Sequence, residues 1–295
     1  TAEKRPFRIE GENYYGPGVG DMKNGDLAMF HIAANLPETE KKCLNIAMVY
    51  NPDEEIGSIY SKEITDRIGC QADHIFVMES AGKNGTRHCF ARKGSLTYDI
   101  EFQGQAAHAG FMFEVENASA VLEMGHYIVE LMSLADREKD TTVNVGIANG
   151  GTARNVVADH AKISVEMRFR DDSERIRLKE YVNKITEGQP FVPGVKTTIT
   201  MQKETPPFIK TEEAKKYIER VRKIAEEYGI PFEEKDRGGL SDANHLSRCG
   251  NAIVMDGMGP HGANDHSEKE YGYIGSVEPC VKLHLAILND MLNKQ

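Results

Sequence analysis

The sequence predicts an α/β domain interrupted by an inserted ferredoxin-like α+β domain, and three observations carry that expectation. Apolar runs that read as strands end in carboxylates, at Glu54 and Glu55 and again at Glu79, and ligands bind beyond strand ends in an open α/β sheet. From Gly94 the pattern becomes strand–helix–strand–strand–helix–strand, the ferredoxin-like order. After Pro206 and Pro207 the α/β pattern resumes. The expected boundaries are residues 1–93 for the first part of the α/β domain, 94–203 for the insert and 204–295 for the second part. A length of 295 residues leaves room for about two domains.

Along the chain, residues 11–25 are crowded with turn formers, and Asp21 sits where this glycine-rich loop gives way to a helical pattern at 26–36. Asp21 there is either a carboxylate brought towards a centre or a helix N-cap. Residues 44–50 read as a buried strand, 58–68 as a helix, 74–78 as a strand and 87–91 as a further short strand. In the insert, strands are expected at 95–103, 142–148, 161–170 and 195–201, with helices at 118–135 and 172–185. The rest reads as a charged amphipathic helix at 212–228, short strands at 232–235 and 252–255, a Gly- and His-rich loop at 257–271 and an apolar closing helix at 277–292.

Composition excludes several classes. Hydrophobic residues make up 40% of the chain and charged residues 28%, the balance of a globular protein rather than a disordered one. A net charge of −10 argues against a nucleic-acid or anionic-membrane surface. No apolar run approaches the roughly 20 residues needed to span a bilayer. The five cysteines are scattered and never spaced as CxxC, which points to reduced thiols in a cytoplasmic compartment and away from a thiolate zinc site.

The chemistry centres on NPDEEIGS, residues 51–58. Adjacent residues leaving an extended strand point to opposite sides, so one carboxylate of the Glu54/Glu55 pair can hold a metal while the other faces a water on it. The plainer alternative is a solvated acidic turn. Of the ten histidines, His108 lies among small residues in GQAAHAG, which either presents the imidazole to something outside its own domain or leaves it a turn histidine in water. His266 and His261 compete as metal ligands in GMGPHGANDHSEKEY, and spacing does not choose between them.

Taken together, these stretches resemble the M20 family of metallopeptidases and deacylases, particularly its glutamate carboxypeptidase-like branch. YGPGVGDMKNG is similar to the loop carrying the metal-bridging Asp, which falls on Asp21; PDEEIGS to the catalytic-base Glu and a ligand Glu, on Glu54 and Glu55. VMESAG matches the next ligand position, Glu79, and GQAAHAG the histidine of the inserted domain, His108. GGTARNVV and EMRFRD resemble substrate-carboxylate contacts at Asn155 and Arg168; GGLSDA resembles a glycine loop lining the pocket, at Gly239; and DHSEKEY resembles the final ligand motif, which selects His266.

The resemblance implies a zinc-peptidase-like catalytic domain, with the inserted domain serving as lid and homodimerisation surface. It implies two zinc ions, or other divalent metals, with Glu54 as general base on a metal-activated water and His108 helping to stabilise the oxyanion. Glu at 79 and an Arg at 168 favour release of a C-terminal amino acid from a peptide, or deacylation of an N-acyl amino acid. An aminopeptidase of the same family is the first alternative, and a non-catalytic dimerising binding module the second. One departure stands out: the family's HxD motif, which carries its first ligand His, has no counterpart, because the chain starts at TAEKRPFRIEG, similar to the segment just after it. The resemblance then implies one site kept by Asp21, Glu55 and His266, a weaker one left with Asp21 and Glu79, one zinc or none in this chain, and lower hydrolytic activity than in a version carrying HxD.

Overall fold

The computed structural model describes residues 3–293. The chain divides into two compact units, one of Thr1–Arg92 with Phe208–Gln295, the other Lys93–Pro207, where the sequence reading placed 94–203. Among the described residues no helix is long and apolar enough to cross a membrane.

The Lys93–Pro207 unit is a four-stranded antiparallel sheet in the order Lys196–Thr205, Gly94–Gln103, His160–Phe169, Thr142–Gly150. With helices at Ala120–Met132 and Asp172–Glu187, this is the ferredoxin-like arrangement. Its core follows the two-residue strand period. Leu96, Tyr98, Ile100 and Phe102 of one strand and Ala161, Ile163, Val165, Met167 and Phe169 of its neighbour face Tyr127, Leu131, Leu178 and Val182 of the helices. Each helix starts on a side-chain cap: Ser119 accepts from the Leu122 amide at 3.2 Å and Asp171 from the Glu174 amide at 3.0 Å.

In the other unit, Ile253–Met255 pairs in parallel with His74–Phe76, and Glu233–Glu234 in parallel with Arg87–His88. The helices Asn24–Asn35, Glu212–Glu227 and Val277–Leu292 supply the apolar faces packed on these strands, with Ile32, Ile218, Val221, Leu283 and Ile287 buried among Phe90, Met255 and Met258. A separate antiparallel sheet joins Arg8–Glu10, Asn13–Tyr15, Tyr271–Tyr273 and Gly262–Ala263. The sequence reading placed Asn13–Tyr15 and Gly262–Ala263 in glycine-rich loops, because two- and three-residue strands among glycines carry no periodic signal.

One expectation fails outright. Residues 44–50 form no strand, and Ile46 and Tyr50 are exposed. Apolar composition favours a strand, but a ladder needs a neighbour to bond to, and no described residues pair with this stretch. Tyr50 instead stacks on Phe30, ring centroids 5.5 Å apart.

Candidate metal centre

The Glu54/Glu55 segment is a turn rather than the end of a strand: Glu54–Ile56 forms a single 3-10 turn, closed by Gly57 at φ 89°. The turn is pinned by Asp53, whose carboxylate accepts from the Tyr60 amide at 2.7 Å and the Ser61 amide at 3.1 Å. With about three residues per turn, neighbouring side chains still diverge, and Glu55 is exposed while Glu54 is half-buried. The two carboxylates thus part through the geometry of a turn and not through strand alternation.

Asp21 is not a helix cap. The helix Asn24–Asn35 begins three residues later with Lys23 at its N-cap position and no side-chain capping bond. The Asp21–Met22 peptide bond is cis. The Asp21 carboxylate meets the His266 ring, with Nε2 3.6 Å from Asp21 Oδ2, while His266 Nδ1 lies 3.7 Å from Glu55 Oε2. One ligand atom from each of Asp21, Glu55 and His266 falls within 4.8 Å of the other two. Donors about 2.1 Å from a tetrahedral ion lie about 3.4 Å apart, so a closure of at most about 1.4 Å would let these three hold one divalent cation.

His266 reaches this place from a left-handed backbone, φ 59°, close to Asn264 at φ 61°. A non-glycine residue there costs about 1–2 kcal/mol. His261 is buried instead, its Nδ1 donating to the Ala81 carbonyl at 2.9 Å and its amide to Ser276 Oγ at 2.8 Å. That difference separates the two histidines, which spacing left open.

The electrostatics are those of crowded acids. Burial pushes the Asp21 carboxyl above its ordinary range and Glu55 adds to the rise, while His266 opposes it. Glu54 is pushed up to about 7 by burial, then by the charges of Asp242, Glu55 and Asp21. Glu79 lies outside the three-residue group and is also pushed well up by burial, then by Asp256 and Asp21. Arg92 lowers Asp21, Glu54 and Glu79. It is committed, however, to a buried ion pair with Asp256 and to the carbonyls of Gly239 at 3.3 Å and Leu240 at 3.2 Å. Those bonds fix the glycine loop that includes Gly239. A divalent cation is the charge that such a cluster favours.

A second network braces the Glu54 turn. Asp242 accepts from Ser58 Oγ and from Asn51 Nδ2 at 2.8 Å, and His245 bridges Asp242 at 3.0 Å and Asp66 at 2.6 Å. Burial alone would lower the His245 pKa, but hydrogen bonds and charge from Asp242 and Asp66 outweigh it and raise it above the ordinary value. Asp242 and Asp66 are both held low, their bonds to His245 and to Ser58 or Lys62 outweighing burial. A raised histidine stabilises the fold below its unfolded pKa and loses that contribution as pH rises through the folded one. The two depressed carboxylates lose theirs as pH falls through their folded values. The stability gap between wild type and His245→Gln should therefore be widest, at about 2 kcal/mol, near pH 5–6 and should narrow toward pH 9. Urea unfolding across that range reads it; a gap that widens with pH contradicts the assignment.

In the other unit, His108 and Asn155 are neighbours. Ala107–His108 pairs with Val156–Val157, and the Ala109 amide donates to the Asn155 carbonyl at 2.9 Å. His108 is exposed, and its Nδ1 accepts from the Gly110 amide at 3.1 Å. An imidazole that accepts at Nδ1 carries its proton at Nε2, which leaves that nitrogen a donor. Arg168 lies on the sheet face opposite the helices, with its Nη2 2.8 Å from Glu166.

Comparison with known proteins gives the family and the fold. The family model for peptidase family M20/M25/M40 matches residues 1–290. The chain belongs to that family. It is 25% identical over 292 residues to carboxypeptidase G2 of Pseudomonas sp. strain RS-16, covering 98% of this chain and 69% of that protein. It is 27% identical over 202 residues to a putative succinyl-diaminopimelate desuccinylase of Mycobacterium tuberculosis, covering 64% of this chain and 54% of that protein. Among solved structures, aminopeptidase PepT of Bacillus cereus superposes with a TM-score of 0.76 at 21% identity, covering 98% of this chain and 76% of that one. A Staphylococcus aureus tripeptidase gives 0.79 at 19%, covering 98% and 77%. At such identities these two show the shared fold, a zinc-peptidase-like α/β domain with its ferredoxin-like insert.

Sequence reasoning missed Glu270, Asp256 with Arg92, and the Asp242–His245–Asp66 bridge. Glu270 lies inside the quoted DHSEKEY motif and Asp242 inside GGLSDA, but nothing local marks either as a bonding partner of a distant loop.

Proposed function

We propose that this member of the M20/M25/M40 hydrolases cleaves an amide bond in a metal-dependent reaction, releasing a C-terminal amino acid or removing the acyl group of an N-acyl amino acid. The observation that carries the reading is the convergence of Asp21, Glu55 and His266 within 4.8 Å, with a carboxyl at Glu54 whose pKa stands at about 7. In this reading Asp21, Glu55 and His266 would hold one zinc or similar divalent ion, and Asp21 with Glu79 would contribute to a second. Such an ion would supply Lewis-acid polarisation of the scissile carbonyl and a lowered water pKa. Glu54 stays off the ion, takes the proton of the attacking water and delivers it to the leaving nitrogen. The donor at His108 Nε2 suits a developing oxyanion. Asn155 suits a substrate carboxylate, as does the planar fork of Arg168 on exchanging Glu166 for that group, and Arg92 holds the loop at Gly239 through its carbonyls.

The substrate class draws on relatives named a carboxypeptidase, a desuccinylase and an acetylornithine deacetylase, together with the Glu at 79. We also infer homodimerisation through the Lys93–Pro207 unit, supported by exposed Leu122, Val129 and Met132 on its helix Ala120–Met132. The test of the reaction is hydrolysis by the zinc-loaded protein of N-acyl amino acids and C-terminally free peptides, set against free-amine dipeptides. The first group should be turned over, and a chelator should stop turnover. Preference for the free-amine dipeptides would make the protein an aminopeptidase instead, and turnover that survives the chelator would remove the metal from the mechanism.

A further inference from the structure

The loop before Asp21 turns its backbone amides inward. Gly18 is left-handed, φ 69° and ψ 17°, and successive amides around such a residue form a concave anion site. That site is filled from within the chain. Glu270 Oε2 accepts from the Gly18 amide at 2.9 Å, and Oε1 accepts from the Gly20 amide at 3.0 Å and the Asp21 amide at 3.2 Å. The Glu270 residue is 4% exposed, and its donors lie about 250 positions away in sequence.

Gly20 is held from its other side too, its carbonyl accepting from Ser80 Oγ. Ser80 follows Glu79, and Glu270 lies four residues beyond His266. One peptide unit thus ties the Asp21 loop to the segments carrying two other candidate ligands. A side chain at position 20 would spoil the tie, because a Cβ there would stand 2.9 Å from the Tyr271 carbonyl and 3.2 Å from Gly262 Cα.

We propose that Glu270 is the positioning residue of the metal centre: by filling the amide nest of the glycine loop it fixes Asp21 relative to His266 before an ion arrives. The inference rests on the metal-binding reading above. Both Glu270 oxygens act as acceptors, so Glu270→Gln, although the same size, turns an amide N–H₂ against at least one backbone N–H. A residue that only fills space would tolerate that exchange; one that organises ligands would not.

The test is Zn²⁺ affinity of the full chain, by competition with a chromophoric chelator, with the Co²⁺ absorption spectrum as a second readout. Loss of an outer-shell carboxylate typically weakens metal binding 10–100-fold. Glu270→Gln should fall in that range and alter the Co²⁺ bands. In the metal-free wild type, hydrogen exchange should show the Gly20 and Asp21 amides protected, a reading that does not depend on whether the variant folds. Wild-type affinity in Glu270→Gln, or rapid exchange at both amides, overturns the proposal. Asp21→Asn separates the two readings. If it abolishes Zn²⁺ binding while Glu270→Gln does not weaken it, the positioning role falls and the metal centre stands. If the wild type itself binds no Zn²⁺, the metal reading falls and the positioning role with it.

Discussion

Glu54→Gln is expected to lower kcat on an N-acyl amino acid by about 10²–10⁴-fold, the range that general-base catalysis contributes, while zinc stays bound. Glu54 is half-buried, outside the group formed by Asp21, Glu55 and His266, and raised to about 7 chiefly by burial and then by Asp242. A base next to a metal-bound water must be free of the ion and close enough to take the proton. Glutamine keeps the size of the side chain and removes only its basicity, so substrate affinity should change little and the loss should appear in kcat. Loss of Zn²⁺ together with turnover would mean that Glu54 is a ligand, and unchanged turnover would mean that the proton goes elsewhere.

Asp21→Asn is expected to weaken Zn²⁺ binding by about 100-fold or more, above the typical cost of losing an outer-shell partner. Asp21 faces the His266 ring at 3.6 Å and carries a pKa raised by burial and by Glu55. It is also the ligand that the reading assigns to both ions. Saturating metal adds stability by mass action, about 2.7 kcal/mol at a free concentration one hundred times the Kd. That increment should be present in the wild type, vanish on addition of a chelator, and fall to about 0.4 kcal/mol or less in Asp21→Asn at the same Zn²⁺ concentration. Thermal unfolding at fixed Zn²⁺ measures it. An equal metal-dependent gain in the variant would place the ion away from Asp21.

What could be read from the sequence followed from how local each signal is. The Lys93–Pro207 unit was legible because its two central strands alternate cleanly and its helices carry apolar faces, as at Leu96–Phe102 against Tyr127 and Leu131. Asp21, Glu55 and His266 were singled out only by their motifs' resemblance to the M20 family, since turn chemistry left Asp21 a possible helix cap and spacing left His261 and His266 equal. The structure separates those two by burial: His261 is spent on Ala81 and Ser276, and His266 stands at the cluster. Residues 44–50 misled because strand formation depends on a partner that composition does not reveal. Glu270, Arg92 and Asp242 were invisible in their roles because each acts through bonds to residues far away in the chain.

Whether Asp21, Glu55 and His266 grip one divalent ion can be read from zinc-edge anomalous diffraction by crystals of the Zn²⁺-loaded protein. The expected result is a peak about 2.0–2.2 Å from a donor atom of each of the three, with the Glu54 carboxylate beyond bonding distance. A peak bound by other residues, or none at saturating Zn²⁺, contradicts it.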